Sequence, residues 1–386
     1  MVFLSLIIGN QNNFMKLPLL QFVSNQYQDV ALDKTLVIAC QHILGTTFNL
    51  FEELFEKGLK PQNVFIIGKC YSTNKETFDL FKKTGVNISD YSVMFDSHIS
   101  FDEQFKSYIE EFLKNIQSSI DLNSFDKIII LDDGGYLITF SNDFLKDFSN
   151  VVGIEQTSSG YEKIKSIQTN FPVINIARSK AKLEIESPFI AEISVEKIEE
   201  YLLKYKITNP NILIVGVGYI GIAISILLKN KYKVSCCDIL QQKCDFGGDY
   251  KNHLNEFDLI IGATGTSAIL PQEFGILKNG VLLASVSSSD REFSAVYLRQ
   301  LVKKVENCHE DIKINGITLL NCGFPINFND GKQHIVIPEK IQITRALLLA
   351  GVFEAVTNKF PNNIIDLDYS LQERIIKEFS VLVKTH

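Results

Sequence analysis

Residues 211–221 read NILIVGVGYIG, and this stretch decides the fold. An apolar run ends in Gly216, Gly218 and Gly221, spaced G-x-G-x-x-G, and opens onto the helix-forming IAISILLKNK. In a strand–turn–helix unit each glycine has its own job. The first permits the tight turn, the second lets backbone approach a pyrophosphate, and the third lets the helix pack against the strand. The helix N-terminus, with Tyr219 and Ile220 in its first turn, then faces the phosphates with its free N–H groups. The next apolar run, KVSCCD, ends in Asp238, about 20 residues on, where a carboxylate accepts from the ribose hydroxyls and repels a 2′-phosphate. That pattern selects NAD over NADP.

Outward from this turn, strand-like runs alternate with helix-period segments, which predicts an α/β protein built from doubly wound sheets. On the C-terminal side LIIGATG and VLLASVS continue the series. They place Ala263, Thr264, Gly265 and Ser287 at strand ends where a cofactor passes. On the N-terminal side, strands are expected at 35–40, 63–68, 127–132, 151–156 and 172–177, with a helix over 48–59. The helical ESPFIAEISVEKIEEYLLKYKITNP links the two series. The expected organisation is a Rossmann NAD-binding domain, residues 193–344, inserted into a discontinuous substrate-binding domain, residues 1–192 plus 345–386. The ligand should lie between them, with hinges near 180–195 and 325–345.

Composition narrows the partners. With 46% hydrophobic and 22% charged residues and a net charge of −7, the chain of 386 residues has no basic footprint for nucleic acid or an anionic membrane. The opening MVFLSLIIGN is apolar but too short to span a bilayer and lacks a cleavage signal. A soluble, cytoplasmic protein is expected. The seven cysteines (Cys40, Cys70, Cys236, Cys237, Cys244, Cys308 and Cys322) form no C-x-x-C pair, so neither a metal site nor a disulfide framework is expected, and reduced thiols are.

The substrate side is carried by KIIILDDGGYL, residues 127–137, where an apolar strand ends in Asp132, Asp133 and two glycines. Beyond the carboxyl end of such a strand lies the ligand crevice of an open α/β sheet. With ACQHILGTTFNLFEEL, GIEQTSSG, PVINIARSKAKLEI, GVGYIG, GATGT and LLNCG in the same order, the chain resembles the adenosylhomocysteinase (S-adenosylhomocysteine hydrolase) family. The resemblance implies tightly held NAD, oxidation at C3′ of a nucleoside, elimination and hydration, and return of the hydride. It places His42, Asp133 and Lys180 on catalytic positions, and Thr46, Gln156, Glu184 and Asn321 near substrate, Asn321 also lying by the nicotinamide. It further implies a role in one-carbon metabolism and a homo-oligomer, dimer or tetramer.

The chain departs from that pattern at several points. Gln156 stands for a ribose-binding glutamate, Glu184 and Ile185 follow the lysine where the family has aspartate and asparagine, and Ser288 takes a histidine position. The family's Gly-His-Pro segment is replaced, leaving His334 as the nearest substitute. The C-terminal tail that enters a neighbouring subunit's cofactor site is missing after VLVKTH, so looser cofactor binding or altered oligomerisation is expected. Specificity should therefore differ from the family's. The alternative is an NAD- or nucleoside-binding protein without turnover. A 2-hydroxy-acid dehydrogenase shares the Rossmann half but would need an arginine near a substrate carboxylate and a His–carboxylate pair, neither of which the sequence places.

Overall fold

The computed structural model describes residues 16–238, 243–246, 249–328 and 337–384. His334 and the N-terminal apolar run lie outside them, as does part of the expected second hinge. The first series forms β1 (Thr35–Cys40), β2 (Val64–Ile67), β3 (Asn87–Ile88), β4 (Lys127–Asp132), β5 (Val151–Glu155) and β6 (Val173–Asn175). The second forms β7 (Asn211–Val215), β8 (Lys233–Asp238), β9 (Lys243–Cys244), β10 (Leu259–Gly262), β11 (Val281–Ser285), β12 (Ile312–Ile314) and β13 (Ile317–Leu319). A last strand, β14 (Ile364–Asp366), returns to the first sheet.

The sheets run β14-β6-β5-β4-β1-β2-β3 and β12-β13-β11-β10-β7-β8-β9. The first is parallel throughout, whereas the second carries antiparallel strands at both edges, β9 and β12. This is the expected two-sheet α/β architecture, and β14 makes the first domain discontinuous. In β1, Leu36, Ile38 and Cys40 enter one core while Val37 and Ala39 enter the other, so both faces of the strand are covered. That is why a parallel strand reads as an unbroken apolar run.

The helices are α1 (Pro18–Gln26), α2 (Gly45–Glu56), α3 (Lys75–Lys83), α4 (Phe101–Ser119), α5 (Tyr136–Phe144), α6 (Ser158–Lys165), α7 (Ser187–Lys204), α8 (Tyr219–Lys229), α9 (Ala295–Gln300), α10 (Pro338–Thr357) and α11 (Tyr369–Lys384). The helix predicted over 48–59 begins earlier, at Gly45, because Thr46 and Thr47 are already helical. Helix α10 is buried from Gln342 to Ala355. An all-round apolar helix of this kind belongs inside a protein rather than on its surface. It packs against α1, α2 and the first sheet, and it runs unbroken through position 345, just as α7 runs through 192.

One region joins the two lobes at the head of α4. Arg291 grips Asp102 through two guanidinium nitrogens, Nη2 at 2.9 Å. Asp290 accepts from the Phe101 amide at 3.2 Å and from Arg299 at 2.7 Å, and Arg299 also donates to the Ser97 carbonyl at 3.0 Å. The Asp290–Arg299 pair is buried and the Arg291–Asp102 pair half-buried, and together they fix one lobe against the other at this edge.

Candidate functional site

In the first sheet β1 lies between β4 and β2, the point where the strand order reverses. Ligand crevices open at that point beyond the strands' carboxyl ends. His42 follows β1, Lys69 follows β2 and Asp133 follows β4, so three separate stretches of sequence converge. The Asp133 carboxylate is 3% exposed, forms an ion pair with the buried Lys69 ammonium, accepts from Gln156 Nε2, and lies 3.4 Å from His42 Nε2. His42 Nδ1 is 2.5 Å from Ser72 Oγ, and the ring stacks on Phe328 with centroids 4.7 Å apart.

Electrostatics sort these groups. Burial pushes the Asp133 carboxyl up, but Lys69 and His42 outweigh that and hold it well below the usual carboxylate range. Burial opposes the charge on Lys69 too, yet Asp133 keeps its ammonium proton more firmly bound than usual. Burial lowers the His42 pKa to about 3, so the imidazole is neutral near pH 7. A neutral ring protonated at Nε2, the nitrogen that faces Asp133 at 3.4 Å, accepts from Ser72 at Nδ1.

The adjacent acid does different work. Asp132 is fully buried and accepts from the Ile138 amide at 2.8 Å, while Glu155, opposite it in the β4–β5 register, accepts from the Thr157 amide at 2.6 Å and the Gly134 amide at 3.3 Å. Burial raises both carboxyls, Asp132 to about 6, with repulsion from Asp133 adding at Asp132 and repulsion from Asp132 adding at Glu155. They wire the turns that carry Asp133 and Gln156. Gly134 and Gly135 have φ of +114° and +78°, and a Cβ on Gly135 would lie 2.7 Å from Gly160 Cα. Of the two aspartates, one builds the turn and the other faces the ligand space.

Above Asp133 lies a cavity of about 200 Å³ lined by residues from both lobes, among them His42, Thr46, Gln156, Asn327 and Ser288. Lys180 is not among them. Lys180 and Glu184 are exposed, and the residues that reach the cavity are Lys182 and Glu186, an ion pair two positions further on. Residues Ala181–Glu186 wind as a π-helical turn. Its wider coil turns Lys182 and Glu186, not Lys180 and Glu184, toward the sheet. Both pairs share the same i, i+4 spacing, so spacing alone could not choose between them. Glu186 accepts from Thr344 Oγ1 at 2.6 Å.

Asn321 also departs from expectation. It is fully buried with φ +51°, and its side chain bonds within its own loop, to the Pro325 carbonyl at 2.9 Å and to His309 Nδ1 at 3.0 Å. It shapes the turn that delivers Asn327 and Phe328 to the cavity rather than lining the cavity itself. Among the polar residues on the cavity wall, Thr157, Lys182, Glu186, Asn327, Thr344 and Arg345 escaped the sequence reading. Arg345 left a visible signal, a lone cation in the otherwise uncharged run IQITRALLLAG.

In the second sheet β7 lies between β10 and β8, again at the reversal of strand order, and Gly216 follows it. Gly216 has φ +104°. A Cβ on Gly221 would lie 2.0 Å from the Gly216 carbonyl oxygen, whereas one on Gly218 would meet nothing within 4 Å. The first and third glycines are thus required by the turn, and the second leaves open space at the N-terminus of α8 where a phosphate can approach. Tyr219 is exposed and Ile220 half-buried at that end, and Asp238 closes β8. These features fit a dinucleotide.

The neighbouring loop corrects part of the expectation. The Thr264 and Gly265 amides donate to Glu292 at 2.8 and 2.7 Å, and the Thr264 and Ser287 hydroxyls donate to it as well. Glu292, from the same lobe, uses the donors that were expected to meet the cofactor and leaves Ala263 and the outer backbone of the turn. The expectation of reduced thiols also fails at one place. Cys237 lies opposite Cys244 in the antiparallel β8–β9 register, and the two form a disulfide, which linear spacing does not reveal. The other five cysteines are free.

No family model matches the chain. It is 39% identical over 333 residues to an uncharacterized protein of Mycobacterium tuberculosis strain H37Rv, covering 85% of this chain and 65% of that protein, and the same holds for its counterpart in strain CDC 1551. The chain thus spans a little under two-thirds of the length of those relatives. Among solved structures it is similar to a dipicolinate synthase chain from Bacillus halodurans (13% identity, 84% of this chain and 99% of that one, TM-score 0.44). It is also similar to phosphoglycerate oxidoreductase from Vibrio cholerae (10%, 84% and 99%, TM-score 0.43). Likeness at that level says nothing of substrate or activity. The sheet order and the glycine turn define the class: a two-domain α/β protein with a Rossmann-type nucleotide-binding domain. Among the described residues no helix is long and apolar enough to cross a membrane.

Proposed function

We propose that the protein is an NAD-dependent enzyme of the adenosylhomocysteinase type, acting at a sugar hydroxyl of a nucleoside-type ligand with altered specificity. One observation carries this reading: Asp133, His42 and the Lys182–Glu186 pair line a single cavity that Ser288 and Val286 of the Rossmann lobe close from the other side. Gly216, Gly218, Gly221 and Asp238 would hold the dinucleotide, which when bound supplies a reversible hydride acceptor.

The chain's own groups do the remaining work. Glu186, fixed by Thr344 and paired with the Lys182 ammonium, takes the proton of the ligand hydroxyl, and Lys182 steadies the charge that develops on the ligand oxygen. Gln156 orients that hydroxyl, and its Oε1 is buried with no donor among the described residues. Asp133 and His42 serve the second proton, at the carbon beside the oxidised one and at the leaving group. A carboxylate held this far below its usual range is a weak base, so Asp133 gains basicity only if substrate loosens its pairing with Lys69.

That same ion pair favours a second reading, binding of cofactor and nucleoside without turnover. Mixing the purified protein with NAD+ and adenosine-type nucleosides separates the two. NADH absorbance or a released 5′ product supports the enzyme, and saturable binding with neither supports the second reading.

A further inference from the structure

We propose that the ligand carries an oxyanion, a carboxylate or a phosphate, and that Arg345 is its anchor; this names the ligand class of the cavity above and rests on that cavity being the ligand site. Arg345 comes from the buried helix α10, is 3% exposed, and lines the cavity. Its partners are neutral and distant: Thr46 Oγ1 at 3.4 Å from Nε, and Gln41 Oε1 at 3.3 Å from Nη1. The other cations are matched, Lys69 by Asp133 and Lys182 by Glu186. Among the described residues no carboxylate forms an ion pair with Arg345, so its guanidinium, alone of these three cations, has no charged hydrogen-bonding partner of its own.

A guanidinium offers five donors in a planar fork that suits a carboxylate or phosphate edge. The Gln41 amide shows the pull of this charge. Its oxygen is turned to Arg345 and its Nε2 is buried with no acceptor among the described residues. Burial weakens the hold of Arg345 on its proton, and Asp133 and Glu186 partly restore it. On the same cavity wall, the buried oxygens Gln156 Oε1 and Asn327 Oδ1 also lack donors among the described residues, which suits a ligand whose hydroxyls donate to them while its anionic end accepts from Arg345. Neutral adenosine would satisfy the oxygens and leave the guanidinium unmatched.

The test is a thermal-shift and calorimetric titration of the full chain at constant ionic strength, with inorganic phosphate, glycerate and glycerol as simple probes and with adenosine 5′-monophosphate, S-adenosylhomocysteine and adenosine as nucleoside probes. Phosphate or glycerate should stabilise the protein saturably where glycerol does not. The Arg345→Met variant should bind that anion roughly ten- to a hundred-fold more weakly, and Arg345→Lys should fall between. Without ligand, Arg345→Met should melt no lower than wild type, because it removes an unmatched buried charge. Selectivity for the phosphate or for the carboxylate probes decides which oxyanion is native. If glycerol and adenosine bind as well as their anionic counterparts, or if Arg345→Met keeps full anion affinity, the anchor is refuted. If the simple anions bind through Arg345 but no nucleoside does, the anchor stands and the nucleoside reading fails.

Discussion

Lys69→Met should destabilise the fold by an amount that depends on pH in a calculable way. In the wild type the ammonium and the Asp133 carboxylate are 4% and 3% exposed and directly paired. Removing the cation leaves a buried carboxylate supported by Gln156 and a neutral His42. Breaking a buried pair from one side costs about 3–5 kcal/mol. The carboxyl can escape by taking up a proton, and at pH 7 this costs roughly 1.4 kcal/mol for each unit above its usual pKa of about 3.9, or about 4 kcal/mol. That caps the cost of the orphaned charge at about the middle of the range. The cap shrinks as pH falls, so the penalty should shrink by up to about 1.4 kcal/mol per unit toward pH 5. Asp133→Asn in the same background removes the orphan, and the double variant should be more stable than Lys69→Met alone. Urea unfolding of the four proteins at pH 5, 6 and 7 completes the cycle. Additive effects, or a Lys69→Met penalty below about 1 kcal/mol at pH 7, would refute the buried pair as the organising interaction.

Other outcomes follow from single residues. The His42 pKa is about 3 in the fold against 6.5 for an ordinary histidine, so the unfolded chain takes up a proton first and stability is lost as pH falls from about 6.5 toward 3; His42→Gln should flatten that loss in acid unfolding curves. Asp132 works in the opposite sense, since its folded carboxyl titrates near 6 against 3.8. Its protonation adds stability as pH falls between those values, and Asp132→Asn should remove that gain from the same curves. Gly218→Ala should fold with stability within about 0.5 kcal/mol of wild type yet bind NAD+ markedly more weakly by calorimetry. Gly221→Ala, whose Cβ would meet the Gly216 carbonyl at 2.0 Å, should lose about 1–3 kcal/mol of stability. Alkylation of the denatured, unreduced protein should label five thiols, with Cys237 and Cys244 joining only after reduction.

Much of this molecule is legible in local pattern. Apolar runs at 35–40, 127–132 and 211–215 are strands because both faces of a parallel sheet are covered, so side chains of either parity must be apolar. The glycine turn is readable because each glycine answers a local backbone demand. His42, Asp133 and Gln156 are readable because each closely follows such a strand, and a strand's carboxyl end is where an α/β sheet opens. The short edge strands β3 and β14, of two and three residues, carry no such signal.

What only the tertiary structure decided is pairing and orientation. Lys180 and Lys182 are equivalent in a linear reading, and the π-helical turn chooses between them by rotation alone. Thr264, Gly265 and Ser287 look open to a cofactor until Glu292, brought alongside by the fold, takes up their donors. Cys237 and Cys244 meet only because β9 folds back on β8. Arg345 reads as a stray charge in an apolar helix until α10 is seen to lead it to the wall of a cavity whose other cations are already matched. Sequence determines which residues are apolar, which turns need glycine and which strand ends carry acids, since those are local demands; which charge is left unmatched depends on distances set across the whole fold.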